Sequence, residues 1–259
     1  MALFTDADVV TLDDLLQFET SLVQVASTHG INVETKINLS MSAVRDKLML
    51  WLLKVGASDP QFINRRLLGL STVVVTPTLS QWICFDSLSR FFAEAYNVQL
   101  NTRFQGKWTE YQKQASDAAD MVFMSGVGIV YKPLPKPAMP LASIQTGTAP
   151  AQSLFLQTAW VDGDGNESAL SPVNGQILAA SSSLVLGMAE GVLQAPIAAA
   201  GWNVYASSTA DVVTKQNSQP LAIGSTWTLP SSGLIDGSQP LGGQQPNYYV
   251  TLSRQIQRG

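Results

Sequence analysis

The chain has 259 residues, a formal net charge of −4 and a mean hydropathy of +0.12; only 13 % of its residues are charged, against ~25 % in ordinary soluble domains. No block of Lys and Arg is present, so affinity for nucleic acid through phosphate neutralisation is not expected, although a wall past which DNA slides would also avoid such a block. One cysteine (Cys84) and one histidine (His29) exclude an internal disulfide and a Cys/His zinc set.

The opening residues MALFTDADVV lack a basic region and a long apolar core, so no signal peptide is expected. No apolar run approaches ~18 residues, so no membrane-spanning helix is expected, and a cytosol is the expected place of folding. Thr11 followed by Asp14 predicts a helix start, with Leu12, Leu15, Leu16, Phe18, Leu22, Val25 and Ala26 giving an apolar face up to His29 and Gly30. Ile31, Val33, Ile37 and Leu39 alternate and predict an extended stretch. A second helix is expected from Ser40 or Ser42, with Val44, Leu48, Trp51, Leu52 and Val55 as its stripe and Gly56 as its end. Residues 62–76 are ambiguous: 64–68 suit a helical turn, while Thr72 to Thr76 leans extended through β-branching. Pro77 opens a third helix carrying Trp82, Phe85, Leu88 or Ser89, Phe92 and Tyr96, with Arg90 and Glu94 placed to pair.

The stretch from Asn97 to Pro137 organises the whole. Leu100, Phe104, Trp108, Tyr111, Ala115, Ala118 and Val122 recur at steps of three and four, predicting one apolar helix face. At ~1.5 Å per residue this helix would run roughly 40 Å. Gly126 is the expected stop, in the left-handed conformation. Pro133, Pro135, Pro137 and Pro140 then predict a stiff, extended strap.

Beyond Pro140 the pattern changes to short runs separated by Gly, Asp, Asn and Ser. Strands are expected at 153–161, 183–188, 201–206, 221–223, 226–229 and 248–252, about the spacing of a small sandwich. Residues 236–246 read as a tail without its own core. The charge splits too: residues 1–136 hold 12 Lys and Arg against 13 Asp and Glu, and residues 137–259 hold three against six. The expected fold is α+β and multidomain: an all-α helical domain (1–132), a proline-rich linker (133–141), a C-terminal β-sandwich (142–236) and an extended tail (237–259).

Each candidate for chemistry has a plainer reading. Asp162, Asp164, Asn166 and Ser168 place oxygens at alternate positions, as calcium loops do, but Glu167 stands where Gly is needed and Val173 where Glu is needed. A turn between strands is the better reading. Gly126-Val127-Gly128 follows a helix and lacks the strand, turn, helix order of a phosphate loop, so it reads as a cap. His29 reads as a helix-end residue and Cys84 as a small buried one. No nucleophile elbow is present, and Asn38 and Asn166 begin glycosylation sequons that matter only after secretion. Arg103, Lys107 and Lys113 lie near Phe104, Trp108 and Tyr111, a weak match to a base-stacking platform. Trp160, Trp202 and Trp227 lie within expected strands and read as core. No enzyme activity, cofactor or metal is therefore expected, and assembly or binding remains.

Tyr96-Asn97, Leu100, Arg103-Phe104, Lys107-Trp108 and Tyr111, running into Gly126 to Pro137, resemble the head-to-tail adaptor (neck or connector) proteins of tailed bacteriophages. Ile31 to Ser40 is similar to that family as well. Asp164 to Ser168, Gly201 to Tyr205 and Pro220 to Gly224 resemble a fibronectin type III or immunoglobulin-like domain. The resemblance implies a virion structural protein, assembled in the bacterial host cytoplasm into the neck. It implies a homo-oligomeric ring, a dodecamer, under the portal protein. That ring prolongs the channel for passing DNA, without sequence specificity or membrane contact, and offers a platform to tail, nozzle or fibre proteins. Arg103, Lys107, Lys113, Tyr131, Arg254 and Arg258 are the interface candidates. The alternatives are a module binding host-surface carbohydrate and a tail-completion ring protein.

Overall fold

The computed structural model describes residues 1–6, 9–58, 69–100, 102–190, 193–210 and 212–251. Its N-terminal part is helical and its C-terminal part is rich in strands. The chain forms two compact units, Asp8–Ile129 with Pro246–Gly259, and Met1–Ala7 with Val130–Gln245.

The helical unit begins with α1 (Leu12–Leu16) and α2 (Leu22–His29). Thr11 and Asp14 form the expected capping box, with the Thr11 amide donating to Asp14 Oδ2 at 2.8 Å. The single helix expected here breaks at residues 17–21, and Gly30 closes α2 in the left-handed conformation (φ 67°). α3 (Val33–Ser58) includes the stretch expected to be extended. Asn32 explains the difference, since its side chain accepts from the Thr35 amide at 3.0 Å and starts the helix early. Ile37, Val44, Leu48, Trp51 and Val55 then form one buried row, and period 3.6 overrides the short run of alternation. The helix passes Gly56, its expected end, and is described as far as Ser58.

α4 (Pro77–Gln99) starts where Thr76 caps the Leu79 amide and Pro77 takes the first turn, where no donor is needed. Trp82, Leu88 and Phe92 are buried as expected. Arg90 does not pair with Glu94: its Nε donates to Asp86 at 2.6 Å, one turn earlier, and Glu94 pairs with Lys36 of α3. Leu100, expected on the apolar face of the next helix, is instead the exposed left-handed cap of α4 (φ 52°). α5 (Thr102–Ser125) is correspondingly shorter than expected, and Phe104, Tyr111, Ala115, Ala118 and Val122 form its buried face. Phe92 stacks on Tyr111 at 5.7 Å and on Phe104 at 6.2 Å, joining α4 to α5.

Gly126 ends α5 with φ 101°, and its amide donates to Val122 O at 3.0 Å. β1 (Val127–Ile129) follows and pairs antiparallel with β9 (Tyr248–Val250), Gly128 facing Tyr249. Val73 bridges Ile129 on the other side, and the Val74 amide donates to Gly128 O at 2.9 Å. The unit expected to be all-α thus carries a small β ribbon. A single stretch of chain cannot supply that ribbon, because its partners come from residues 73–74 and 248–250.

The strand-rich unit contains two sheets. One has the order β2 (Leu141–Ala149), β5 (Ser182–Gly187), β8 (Thr226–Thr228). The other has the order β4 (Asn174–Leu178), β3 (Gln152–Asp162), β6 (Ala199–Ser207), β7 (Thr214–Lys215), and every pairing is antiparallel. The alternate residues Leu154, Leu156 and Trp160 of β3 and Trp202, Val204 and Ala206 of β6 meet Leu184 and Leu186 of β5 and Trp227 of β8 in one apolar core. Burying each Leu or Val there contributes about 2 kcal/mol. The expected strand at 221–223 is reduced to one bridge, Leu221 to Trp202, while β2, β4 and β7 were not expected. Their sparse apolar residues and edge positions explain why alternation did not reveal them.

The proline strap belongs to this unit. Prolines 133, 135 and 137 have no amide donor, and the three amides between and after them are each taken by a side chain. Leu134 donates to Gln244 Oε1 at 2.7 Å, Lys136 to Asp6 Oδ1 at 2.9 Å, and Ala138 to Glu190 Oε1 at 2.5 Å. A segment that cannot join a ladder has its remaining donors satisfied one at a time. Leu134 itself is fully buried in the shared core.

Candidate functional site

Of the interface candidates on α5, Lys107 is not a free cation. Its ammonium is paired with Glu19, in the break between α1 and α2, and stands 5.1 Å from the centre of the Phe92 ring. Glu19 is buried and also accepts from Ser21 Oγ (2.6 Å) and Tyr111 OH (3.4 Å). Burial pushes the Glu19 carboxyl up, but the bonds from Lys107 and Ser21 outweigh it and hold the group below the usual range. Arg103 and Lys113 are exposed on the same helix. Phe104 and Tyr111 are buried and Trp108 stacks on Tyr96 at 6.1 Å, so these aromatics form a core seam rather than an open stacking platform. Tyr131 is exposed at the start of the strap, in the strand-rich unit. Arg254 and Arg258 lie outside the described residues, as does the helical turn expected at 64–68.

The helical unit also exposes apolar side chains that no polar motif marks. Met49, Leu50 and Leu53 lie on α3 one turn apart, opposite the buried row of Val44, Leu48, Trp51 and Val55, and Leu50 is 60 % exposed. On α5, Met121 and Met124 are open, the latter 76 % exposed. The stripe expected from Val44 to Val55 left Met49, Leu50 and Leu53 off the buried face, so periodicity is the signal that could have found them.

In the strand-rich unit, Asp162 to Ser168 forms a turn. Gly165 has φ 85°, and Asp162 accepts from the Asp164 amide, the Asn166 amide and Asn166 Nδ2, each at 2.9 Å. The Asp162 oxygens therefore face the donors of their own turn, the reverse of oxygens converging on an ion. Among the described residues no group of three or more His, Cys, Asp or Glu is placed to hold a metal.

Glu167, which stands where a calcium loop needs Gly and lies in the turn of the fibronectin-like resemblance, proves to be a buried anchor. It accepts from Asn203 Nδ2 and from Tyr205 OH (2.6 Å), with Lys215 Nζ at 3.6 Å. Asn203 in turn accepts from Asn217 Nδ2 at 2.8 Å, and Asn217 Oδ1 accepts from the Val204 amide at 2.8 Å. Burial and the bond to Glu167 push the Tyr205 hydroxyl well above the usual phenol range. Strand alternation makes this cluster, since residues 202, 204 and 206 enter the main core while Asn203 and Tyr205 point to the opposite face of β6. With every member bonded, the cluster fixes the turn onto β6 and leaves no group poised for proton transfer.

Trp160, Trp202 and Trp227 are buried in the core, and Trp202 Nε1 donates to Ala222 O at 3.1 Å. His29 ends α2 and meets the Phe104 ring edge-on at 5.5 Å. Cys84 is buried, which pushes its thiol up to about 12. No helix of the described residues is long and apolar enough to cross a membrane. Compared with known proteins, the chain matches no family model and no curated relative.

Proposed function

We propose that this protein is a virion structural component, a head-to-tail adaptor that assembles as a ring beneath the portal and offers a platform to tail proteins. The observation that carries the reading is the uncovered apolar surface of the helical unit: Met49, Leu50 and Leu53 on α3, in a chain of only 13 % charged residues. Such a surface suits a permanent neighbour. The passage from α5 through Gly126 into the strap, in the order that the adaptor resemblance implies, supports the same reading.

The strand-rich unit fits the proposal as a fibronectin type III or immunoglobulin-like sandwich. Its three-stranded and four-stranded antiparallel sheets share one core built from alternate residues. In the adaptor reading it is the outward module that holds tail or fibre proteins.

The test is the mass and image of the purified full chain, alone and mixed with its portal, by light scattering and negative-stain microscopy. A ring on the distal face of the portal is the expected result. A chain that stays monomeric, ignores portal and binds cell-surface glycan would overturn it.

A further inference from the structure

Within the helical unit, residues of α3, α4 and α5 line an open cleft of about 420 Å³, a size suited to a small ligand. Short side chains leave this space open: Ser89 of α4 and Ala115, Ser116 and Ala119 of α5. Trp82 and Phe123 meet edge-on at 5.6 Å and give the cleft an aromatic wall. Ser89 is only 8 % exposed, yet among the described residues its hydroxyl has no hydrogen-bond partner. A buried helical serine can bond the carbonyl four residues back, as Ser87 does to Ile83 at 2.7 Å. Ser89 makes no such bond and leaves its hydroxyl to the cleft.

The charges around the cleft point the same way. Lys47 Nζ, from α3, stands 5.3 Å from the centre of the Trp82 ring, and Asp120, from α5, is exposed. Among the described residues neither forms a salt bridge, with the other or with any third group. Asp86, which also lines the cleft, is already engaged by Arg90. The cleft thus combines one unpaired ammonium, one unpaired carboxylate, an aromatic wall and a buried hydroxyl. A ligand with a single charge would leave Lys47 or Asp120 unmatched. An aliphatic one would forgo the aromatic wall, and one without a polar ring atom would leave Ser89 unpaired. We propose that the cleft binds a free aromatic amino acid. Its carboxylate meets Lys47, its ammonium meets Asp120, and its ring lies on the Trp82 and Phe123 wall with a ring N–H or O–H at Ser89. The proposal does not rest on the adaptor reading.

The test is calorimetric titration of the full chain with L-tryptophan, beside tryptamine, indole-3-propionate and L-phenylalanine. L-Tryptophan should saturate one site per chain and bind at least ~5-fold more tightly than each of the other three, which lack in turn the carboxylate, the ammonium and the ring donor. Lys47→Met should remove its advantage over tryptamine, and Asp120→Asn its advantage over indole-3-propionate. Ser89→Ala should remove its advantage over L-phenylalanine without lowering the melting temperature, because the hydroxyl has no bond within the described fold to lose. Absence of saturable tryptophan binding, equal affinity for the four probes, or a ranking unchanged in all three variants would overturn the proposal.

Discussion

Two buried glutamates, one in each unit, show how single residues hold the architecture. Glu19 sits where α1 and α2 break and binds Lys107 of α5, while Glu167 binds Asn203 and Tyr205 of β6. Glu19→Gln should cost about 2 kcal/mol at pH 7, the scale of a hydrogen bond to a charged group, measured by urea unfolding. The carboxyl is held below its ordinary value of 4.5 in the fold. Its contribution is therefore complete above that value and lost as pH falls through the folded value, so the gap between wild type and variant should narrow under acid. Asp6, whose carboxyl burial raises above 3.8, works in the opposite sense: its contribution is present below that value and lost as pH rises through the folded one. Glu167→Ala should cost more than Tyr205→Phe, about 3 against 1 kcal/mol, because the first strands several buried donors and the second only weakens one acceptor. Equal losses would show that the cluster is not centred on the carboxylate.

At the scale of elements, the junction after α5 depends on two glycines for different reasons. Gly126 has φ 101°, a conformation that strains any other residue, so Gly126→Ala should destabilise by about 1 to 2 kcal/mol. Gly128 has ordinary backbone angles, but an added Cβ would meet Pro246 Cγ at 2.8 Å, so Gly128→Val should separate β1 from the segment leading into β9. Hydrogen exchange at Val74, whose amide bonds to Gly128 O, reports that loss. The region beyond 237 behaves likewise as two parts. Gln244 spans Lys132 O and the Leu134 amide, and β9 completes the ribbon on β1. Truncation after Gly237 should therefore lower the melting temperature of both units, because it removes Gln244 from the strap and β9 from the ribbon.

For the molecule as a whole, the connectivity carries the main lesson. Ile129 O accepts from the Asn247 amide at 2.9 Å, so the strand-rich residues 130–245 leave and re-enter the helical unit at neighbouring points of one β ribbon. They behave as an insertion into a hairpin rather than an appendage at the end. Replacing 130–245 by a four-residue turn rich in Gly and Asn, and removing residues 1–7, which belong to the strand-rich unit, should leave a helical unit with native-like circular dichroism and cooperative melting. If the adaptor proposal is right, that miniature protein still forms rings with portal. A folded miniature that does not assemble would place the inserted unit in the ring itself.

What the sequence by itself determined was local: the capping box of Thr11 and Asp14, the start at Pro77, the buried face of α5, the stop at Gly126, the turn at 162–168 and the longer strands. Each of these is set by neighbours within a few residues, through cap donors, backbone angles or a period of 3.6 or 2. Only the tertiary structure decided that Asn32 begins a helix through an apparently alternating stretch, that Arg90 turns to Asp86, and that Glu167 is buried. It alone decided that β9 returns more than a hundred residues later to pair with β1. Those outcomes depend on which faces the rest of the chain covers and on which donors it leaves unpaired, and side-chain spacing along one segment carries no information about either.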